Sequence, residues 1–549
     1  MTDSPPMTMF VPDFPFAYDD WLRHPGGLGA LPEGRLGTEV AVIGGGVSGM
    51  TVAYELMKLG LRPVLYEGDQ IGGRMRSIPF AADPGYVAEM GAMRFPAAAS
   101  TLFHYIDALG LATKPFPNPL TPASSSTVVN FEGATHWATT DNDLPEEYQH
   151  VAEAWMKALN ERAELQAIQA AIRARDVPVL RAVWSKIVKD FDDESLYGFL
   201  AGTAGFNSFR LREIFGQVGF GVGSWDTDFP SSALETLRIV CVAAGENQFS
   251  VVGGAQQIPR GLWNRVPARM AHWPSGTSVA SLHEGTPLST VASIARAGEL
   301  FDITDVTGQT RTYPAVVFTP HLPTLLTTID SDRALLSPAH WAAVERAHYL
   351  GASKLFVLTD RPFWLDVDTE TGHETMGMTI TDQLPRSVYL FDDGMHKPGV
   401  VCLSYTLNND SRRLSTLTPD ERVDTVLEKL RSIYPGVDIR SHLVGPPVAI
   451  SWENEPHFGG AFRTSLPGHY RYQRRLFTHF RQDDFAPERR GFFLSGDDIS
   501  WTPGFAEGAV MTGLNAVWGV LNHLGGRTHP GNPGPGDVFS SIAPVELPE

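Results

Sequence analysis

Three features of the sequence predict an α/β fold in which a Rossmann-like dinucleotide-binding domain is assembled from separated segments. A glycine-rich turn between an apolar strand and a helix lies near residue 45. Helical apolar spacing runs from residue 100 to about 211. A second glycine-rich turn, opening a helix, returns near residue 504. At 549 residues the chain suits two or three interleaved domains rather than one simple core.

The first turn organises the rest. Val40-Ala41-Val42-Ile43 is a short β-branched run followed by Gly44, Gly46 and Gly49 in a G-x-G-x-x-G frame. Then come a helix-spaced segment (Met50, Ala53, Leu56, Met57), a strand at Pro63-Val64-Leu65-Tyr66, and Glu67. In that context the glycines let a pyrophosphate approach the backbone at a helix N-terminus, and Glu67 meets the adenosine ribose. Gly72-Gly73-Arg74, directly after the ribose acid, points to a long, permanently held cofactor, FAD rather than NAD. An arginine there offers a fixed fork of donors to phosphate.

Taken in order, residues 1–37 carry Phe10, Phe14, Phe16, Tyr18 and Trp21 and read as a segment packed along the body. In Val87-Ala88-Glu89-Met90-Gly91-Ala92-Met93-Arg94-Phe95-Pro96 a guanidinium sits between apolar neighbours. That placement makes Arg94 a candidate for gripping a carboxylate. Residues 100–211 read as a helical subdomain, with Tyr148, Val151, Trp155 and Leu159 on one face and few strand signals. Asp228, among aromatic and apolar residues, suits either a cation or the cap of a turn.

Strands return between residues 277 and 320, ending in Ala315-Val316-Val317-Phe318-Thr319-Pro320, a buried parallel strand. Lys354 opens an apolar strand, where most lysines snorkel to water. Gly491-Phe492-Phe493-Leu494-Ser495-Gly496-Asp497-Asp498 is a strand ending in acids, of which Asp497 can hold ribityl hydroxyls. The helix opened at Trp501–Ala509 directs its positive end at a flavin. The expected division is a packing segment 1–37, an FAD-binding domain from 38–99, 250–330 and 486–526, a substrate domain from 212–249 and 331–485, a helical subdomain 100–211, and an extended tail 527–549.

A formal charge of −19 argues against nucleic-acid and anionic-membrane partners and is compatible with a cationic small substrate. Two cysteines, Cys241 and Cys402, exclude a disulfide framework. No signal peptide and no apolar run of ~18 residues is apparent, so a cytoplasmic protein is expected.

Together, the Gly44–Gly49 frame, Glu67, Gly72-Gly73-Arg74, Gly253-Gly254, Lys354 with Pro362-Phe363-Trp364, and Gly504-Phe505-Ala506-Glu507-Gly508-Ala509 resemble the flavin amine oxidase family over nearly the whole chain. Within it the sequence looks most like bacterial L-lysine 2-monooxygenases, with tryptophan 2-monooxygenases as more distant relatives. The resemblance extends to Pro12-Asp13-Phe14-Pro15-Phe16, to Lys114–Thr121 and to His529–Phe539.

The resemblance implies the amine oxidase fold with bound FAD, and assigns site residues by position. Arg94 would bind the substrate carboxylate with Tyr405 as a weaker partner, Lys354 would hold a water against the flavin, and Phe462 and Phe505 would flank the reacting amine. Asp228 would pair with the distal cation of a lysine-like side chain. Asp497 would hold the ribityl chain and Val291 would lie near adenine, with Met93, Trp452 and Ala509 among the further cofactor contacts. Two departures, Ala244 in place of a cysteine and Phe505 in place of a tryptophan, enlarge the pocket and make L-arginine as good a candidate as L-lysine.

The implied reaction is oxidation of a basic L-amino acid by O2 to the one-carbon-shorter amide. A plain L-amino acid oxidase and a non-redox binding protein of the same fold are the alternatives. A homo-oligomer, dimer or tetramer, is expected.

Overall fold

A computed structural model describes residues 5–218 and 228–548. Its organising sheet has four parallel strands in the order Arg62–Tyr66, Glu39–Ile43, Val316–Phe318 and Phe492–Leu494. Val42 aligns with Leu65 on one side and Val317 on the other, and Val317 aligns with Phe493. Segments more than 400 residues apart in the chain thus share one buried sheet, and its strands read as continuous apolar runs because both faces are covered. The helix Val47–Lys58 follows the first strand and packs beside the long helix Ala506–His523. Gly513 brings these helices close, since a Cβ there would lie 3.2 Å from the carbonyl oxygen of Ser48.

A second sheet has seven strands in the order Val448–Ser451, Ala352–Thr359, Gly399–Leu407, Ser387–Phe391, Met378–Thr381, Thr127–Phe131 and Ala134–Ala138. The last two strands lie within the stretch expected to be helical, so residues 113–138 depart from that expectation. Thr127-Val128-Val129-Asn130-Phe131 has strand composition, and Glu132 and Gly133 both adopt positive φ (50° and 81°), the geometry of a two-residue hairpin turn. The expected stretch opens on the helix Ser100–Ala108, and after the hairpin helices resume at Glu146 with Glu146–Ala163, Leu165–Ala174 and Val177–Phe191. Tyr148, Val151, Trp155 and Leu159 are buried along one face of the first. Among the described residues no helix is long and apolar enough to cross a membrane.

The N-terminal segment is an integral part of the core. Phe10, Phe14, Tyr18 and Trp21 are buried, and the Tyr18 hydroxyl donates to Asn515 Oδ1 at 2.8 Å. Asp13 is 2% exposed and accepts from Arg238 Nε at 2.5 Å, Arg238 Nη2 at 3.1 Å and Trp184 Nε1 at 2.8 Å. One carboxylate therefore ties the N-terminal segment, the helical part and the helix Ala233–Cys241 together. Removing one partner of such a buried pair strands the other charge. Asp13→Ala is expected to cost about 3–5 kcal/mol, read as a lowered thermal midpoint at fixed scan rate.

Candidate active site

A single elongated cavity of about 920 Å³ runs from the Gly44 turn to Ala244. At its dinucleotide end each glycine of the frame has a different task. Gly44 takes φ +98°, a region that disfavours side chains. At Gly49 a Cβ would stand 1.9 Å from the carbonyl oxygen of Gly44, so this residue serves helix–strand packing and lies outside the cavity lining. Gly46 lines the cavity with open space where a Cβ would project. That bare cradle at a helix N-terminus fits a pyrophosphate. Glu67 accepts from the backbone N–H of Gly45 at 2.5 Å and of Asp69 at 2.8 Å, fixing its carboxylate beside the turn. Gly73 and Val291 line the same end.

Arg74 and Asp497, assigned separately to phosphate and ribityl chain, form one unit here. The Arg74 guanidinium forks onto both Asp497 oxygens and donates to the Ala461 carbonyl at 2.8 Å. Asp497 also accepts from Gly504 N–H at 2.9 Å. Burial opposes its ionisation, but Arg74 outweighs burial and holds Asp497 below the usual carboxylate range. The neighbouring Asp498 goes the other way, raised to about 6 by burial and by the charge of Asp497. Ala509 lines the cavity from the helix Ala506–His523, and Glu507 in the first turn of that helix accepts from the N–H groups of Thr101 and Leu102 at 3.0 and 2.6 Å. Burial raises Glu507 to about 7.

Beyond this lies the substrate end. Arg94 Nη1 donates to Asn118 Oδ1 at 2.7 Å and to the Tyr389 hydroxyl at 3.2 Å, and the guanidinium lies 5.7 Å from the Phe116 and Tyr389 ring centroids. It has no carboxylate partner among the described residues, although it faces the cavity. Asn118 Nδ2 in turn donates to Gln248 Oε1 at 3.0 Å, and Gln248 Nε2 to the Ala244 carbonyl at 2.9 Å. The guanidinium is thus held from behind, with its remaining donors free for an anion.

Lys354 and Tyr405 are directly opposite across antiparallel strands, with Nζ 4.8 Å from the Tyr405 ring centroid. Lys354 does not snorkel: it is 3% exposed and donates to the carbonyls of Glu89 at 3.1 Å and Gly91 at 2.5 Å. Burial pulls its pKa down from 10.5 to about 8. Phe462 and Phe505 line this end around Gly504, whose φ is +83° and where an added Cβ would stand 3.4 Å from the Phe462 ring. Met93 and Trp452 line the cavity too, the latter donating to Met90 O at 3.0 Å.

Asp228 is not brought to this cavity. It is exposed, directly after the undescribed residues 219–227, and the lining from this part of the chain comes instead from Ser231, Glu235, Thr236 and Ile239. Sequence reasoning missed Glu235, because an acid in the first turn of a helix looks like any other. It also missed Asn118, Gln248 and His321. His321 donates through Nδ1 to Phe458 O at 2.8 Å, which leaves Nε2 a buried acceptor without a partner at the dinucleotide end. Burial keeps this ring neutral, with a pKa lowered to about 3, so it offers an acceptor rather than a charge.

Comparison with known proteins agrees with this geometry. The sequence model for flavin containing amine oxidoreductases matches residues 47–521. The chain is 30% identical over 545 residues to a tryptophan 2-monooxygenase of Pseudomonas savastanoi, covering 92% of this chain and 94% of that one. It is 24% identical over 487 residues to an L-amino-acid oxidase of Echis ocellatus, covering 87% and 88%. Among solved structures, a putrescine oxidase superposes with a TM-score of 0.66 at 19% identity, covering 89% of this chain and 99% of that one. A cyclohexylamine oxidase from Brevibacterium oxydans superposes with 0.64 at 17%, with the same coverage.

The open space at Gly46 gives a direct test of the dinucleotide end. Its φ of −71° accepts a side chain, so Gly46→Val is expected to fold yet purify colourless, with unchanged far-ultraviolet circular dichroism and no visible absorbance.

Proposed function

The chain belongs to the family of flavin-containing amine oxidoreductases, and we propose that within it the protein is an FAD-dependent L-amino acid 2-monooxygenase acting on a basic L-amino acid, L-arginine or L-lysine. The products are the amide one carbon shorter, CO2 and water. The observation that carries this reading is Arg94, a cavity-facing guanidinium braced by Asn118 and Tyr389 with no carboxylate partner among the described residues. An amine without a carboxylate would leave it unpaired, a costly arrangement in a closed site.

Bound FAD supplies the acceptor for a hydride from the substrate Cα and afterwards the electrons that O2 takes up. The residues that would hold it are those of the glycine turn with Glu67, the Arg74–Asp497 unit, His321 and the N-terminus of the helix Ala506–His523. The protein's work is positioning. Arg94 fixes the carboxylate, and Phe462 and Phe505 confine the amine between them. Lys354 governs a proton at one point in space. Two of its Nζ positions are committed to the Glu89 and Gly91 carbonyls, and the third is an N–H below about pH 8 and a lone pair above it. The lysine can therefore take up or release that proton without giving up its other contacts.

Retention of the imino acid beside the hydrogen peroxide formed from O2 lets peroxide attack the imine carbon, and loss of CO2 gives the amide. Escape of the imino acid to water gives a 2-oxo acid and ammonia instead. The relative named L-amino-acid oxidase favours this second outcome as a side activity.

Mass spectrometry of products from L-arginine and L-lysine, with catalase present, decides between them: the amide is expected as the main product, and 2-oxo acid alone would make the protein an oxidase. Arg94→Ala is expected to lower kcat/KM for amino acids by about 100- to 1,000-fold, mostly through KM. Because the Lys354 pKa is depressed, its neutral form grows as pH rises through about 8. Log kcat/KM should climb with an inflection there, and Lys354→Met should lose both the inflection and most of the rate.

A further inference from the structure

The cavity is lined by two charged groups of opposite sign that form no ion pair among the described residues, and a ligand that meets only one of them leaves the other with neutral partners alone. Arg94 is the cation. Among the carboxylates that line the cavity, Glu67 is fixed on backbone N–H groups at the dinucleotide end, and Asp69 and Asp497 are paired with Arg76 and Arg74. Glu507 has both oxygens on the helix start at Thr101 and Leu102, and Asp141 is exposed. Glu235 remains. It is 7% exposed, on the helix Ala233–Cys241, one helical turn before Ile239 on the cavity-facing side.

Glu235 accepts one hydrogen bond on each oxygen, from Thr464 Oγ1 at 2.7 Å and from Ser465 N–H at 2.8 Å. Both donors are neutral, and they follow the wall residue Phe462 in the chain with the buried Arg463 between. The cation nearest in sequence, Arg238, forms its ion pair with Asp13 and meets the Glu235 charge only at longer range. An ionised carboxylate has about four acceptor positions, so Glu235 keeps capacity for further donors. Ser231, in the chain just before the N-cap Ser232 and also in the lining, has a buried hydroxyl with no hydrogen-bond partner among the described residues. A buried carboxylate whose hydrogen bonds come only from neutral donors, in a lining that also carries an unused hydroxyl, suits a cation with more than one N–H.

We propose that Glu235, assisted by Ser231, receives the cationic end of the substrate side chain, the role that the sequence suggested for Asp228. This rests on the basic-amino-acid reading above and names the group that enforces it. Arg94 and Glu235 would then clamp an amino acid at both ends, with the small Ala244, beyond the end of the helix Ala233–Cys241, also lining the cavity.

The test is a selectivity ratio measured on the yellow holoenzyme: kcat/KM for L-arginine over L-citrulline, and for L-lysine over L-norleucine, in the wild type, Glu235→Gln and Asp228→Asn. Glutamine keeps the shape and can still meet Thr464 and Ser465, because the threonine hydroxyl can accept as well as donate. An unchanged visible spectrum and thermal midpoint report an intact fold. The wild type is expected to favour the charged member of each pair by about 100-fold, and Glu235→Gln to bring both ratios near one, chiefly through KM, with turnover of the neutral analogue kept.

A basic-specific wild type whose ratios survive in Glu235→Gln, or collapse only in Asp228→Asn, overturns the assignment while leaving the substrate class standing. A wild type that oxidises uncharged L-amino acids and ignores basic ones overturns both.

Discussion

The site depends on how closely the helix Val47–Lys58 approaches the strand before it. Only a residue without a Cβ fits at position 49, where the carbonyl oxygen of Gly44 fills the space a side chain would need. That approach aims the helix N-terminus along the cavity and leaves Gly46 bare at its mouth. The neighbouring strands then have little freedom. Val316–Phe318 pairs beside Glu39–Ile43 and Phe492–Leu494 beside Val316–Phe318, and their C-terminal ends deliver His321 and Asp497 to the cavity. Ligand groups thus gather at strand ends although the chain supplying them is separated by hundreds of residues.

The rest of the cavity follows a logic of incomplete charge. The Arg74–Asp497 and Arg238–Asp13 pairs are closed, each buried ion meeting its partner with bidentate geometry. Arg94 and Glu235 are open, braced by neutral groups that set direction without cancelling charge. Closed pairs organise the scaffold, and open ones await a ligand. Lys354 belongs to neither class. Burial has weakened its hold on its proton, and its contacts are carbonyls whose demands do not change when the proton leaves.

Much of this was legible in the sequence. The glycine turn, its flanking strands, the ribose acid and the helix after Gly504 carry local signals, since positive φ, close approach and apolar runs each restrict residue type. The hairpin at residues 127–138 was equally legible through its β-branched run and the Glu132-Gly133 turn, but it was masked by the helical spacing on either side. What the sequence could not reveal was pairing at long range. Arg74 with Asp497 spans 423 positions, and nothing local distinguishes Glu235, facing a cavity, from Glu146, in the first turn of another helix and exposed. Asp228 looked suggestive for its aromatic neighbours, yet those neighbours do not determine which way a loop turns.

The chain of hydrogen bonds from Arg94 through Asn118 and Gln248 to the Ala244 carbonyl ties the cavity-facing guanidinium to the backbone turn at Ala244. Ala243 next to it already takes a left-handed conformation, with φ +53°, so the backbone there has little slack. Changes of side-chain preference at position 244 are therefore not modular. A bulkier residue that shifts this turn also moves the Gln248–Asn118 brace behind Arg94, and substitutions at 118, 244 and 248 are expected to form an epistatic set whose effects do not add. Redesign of substrate range in this scaffold has to treat the three positions as one variable.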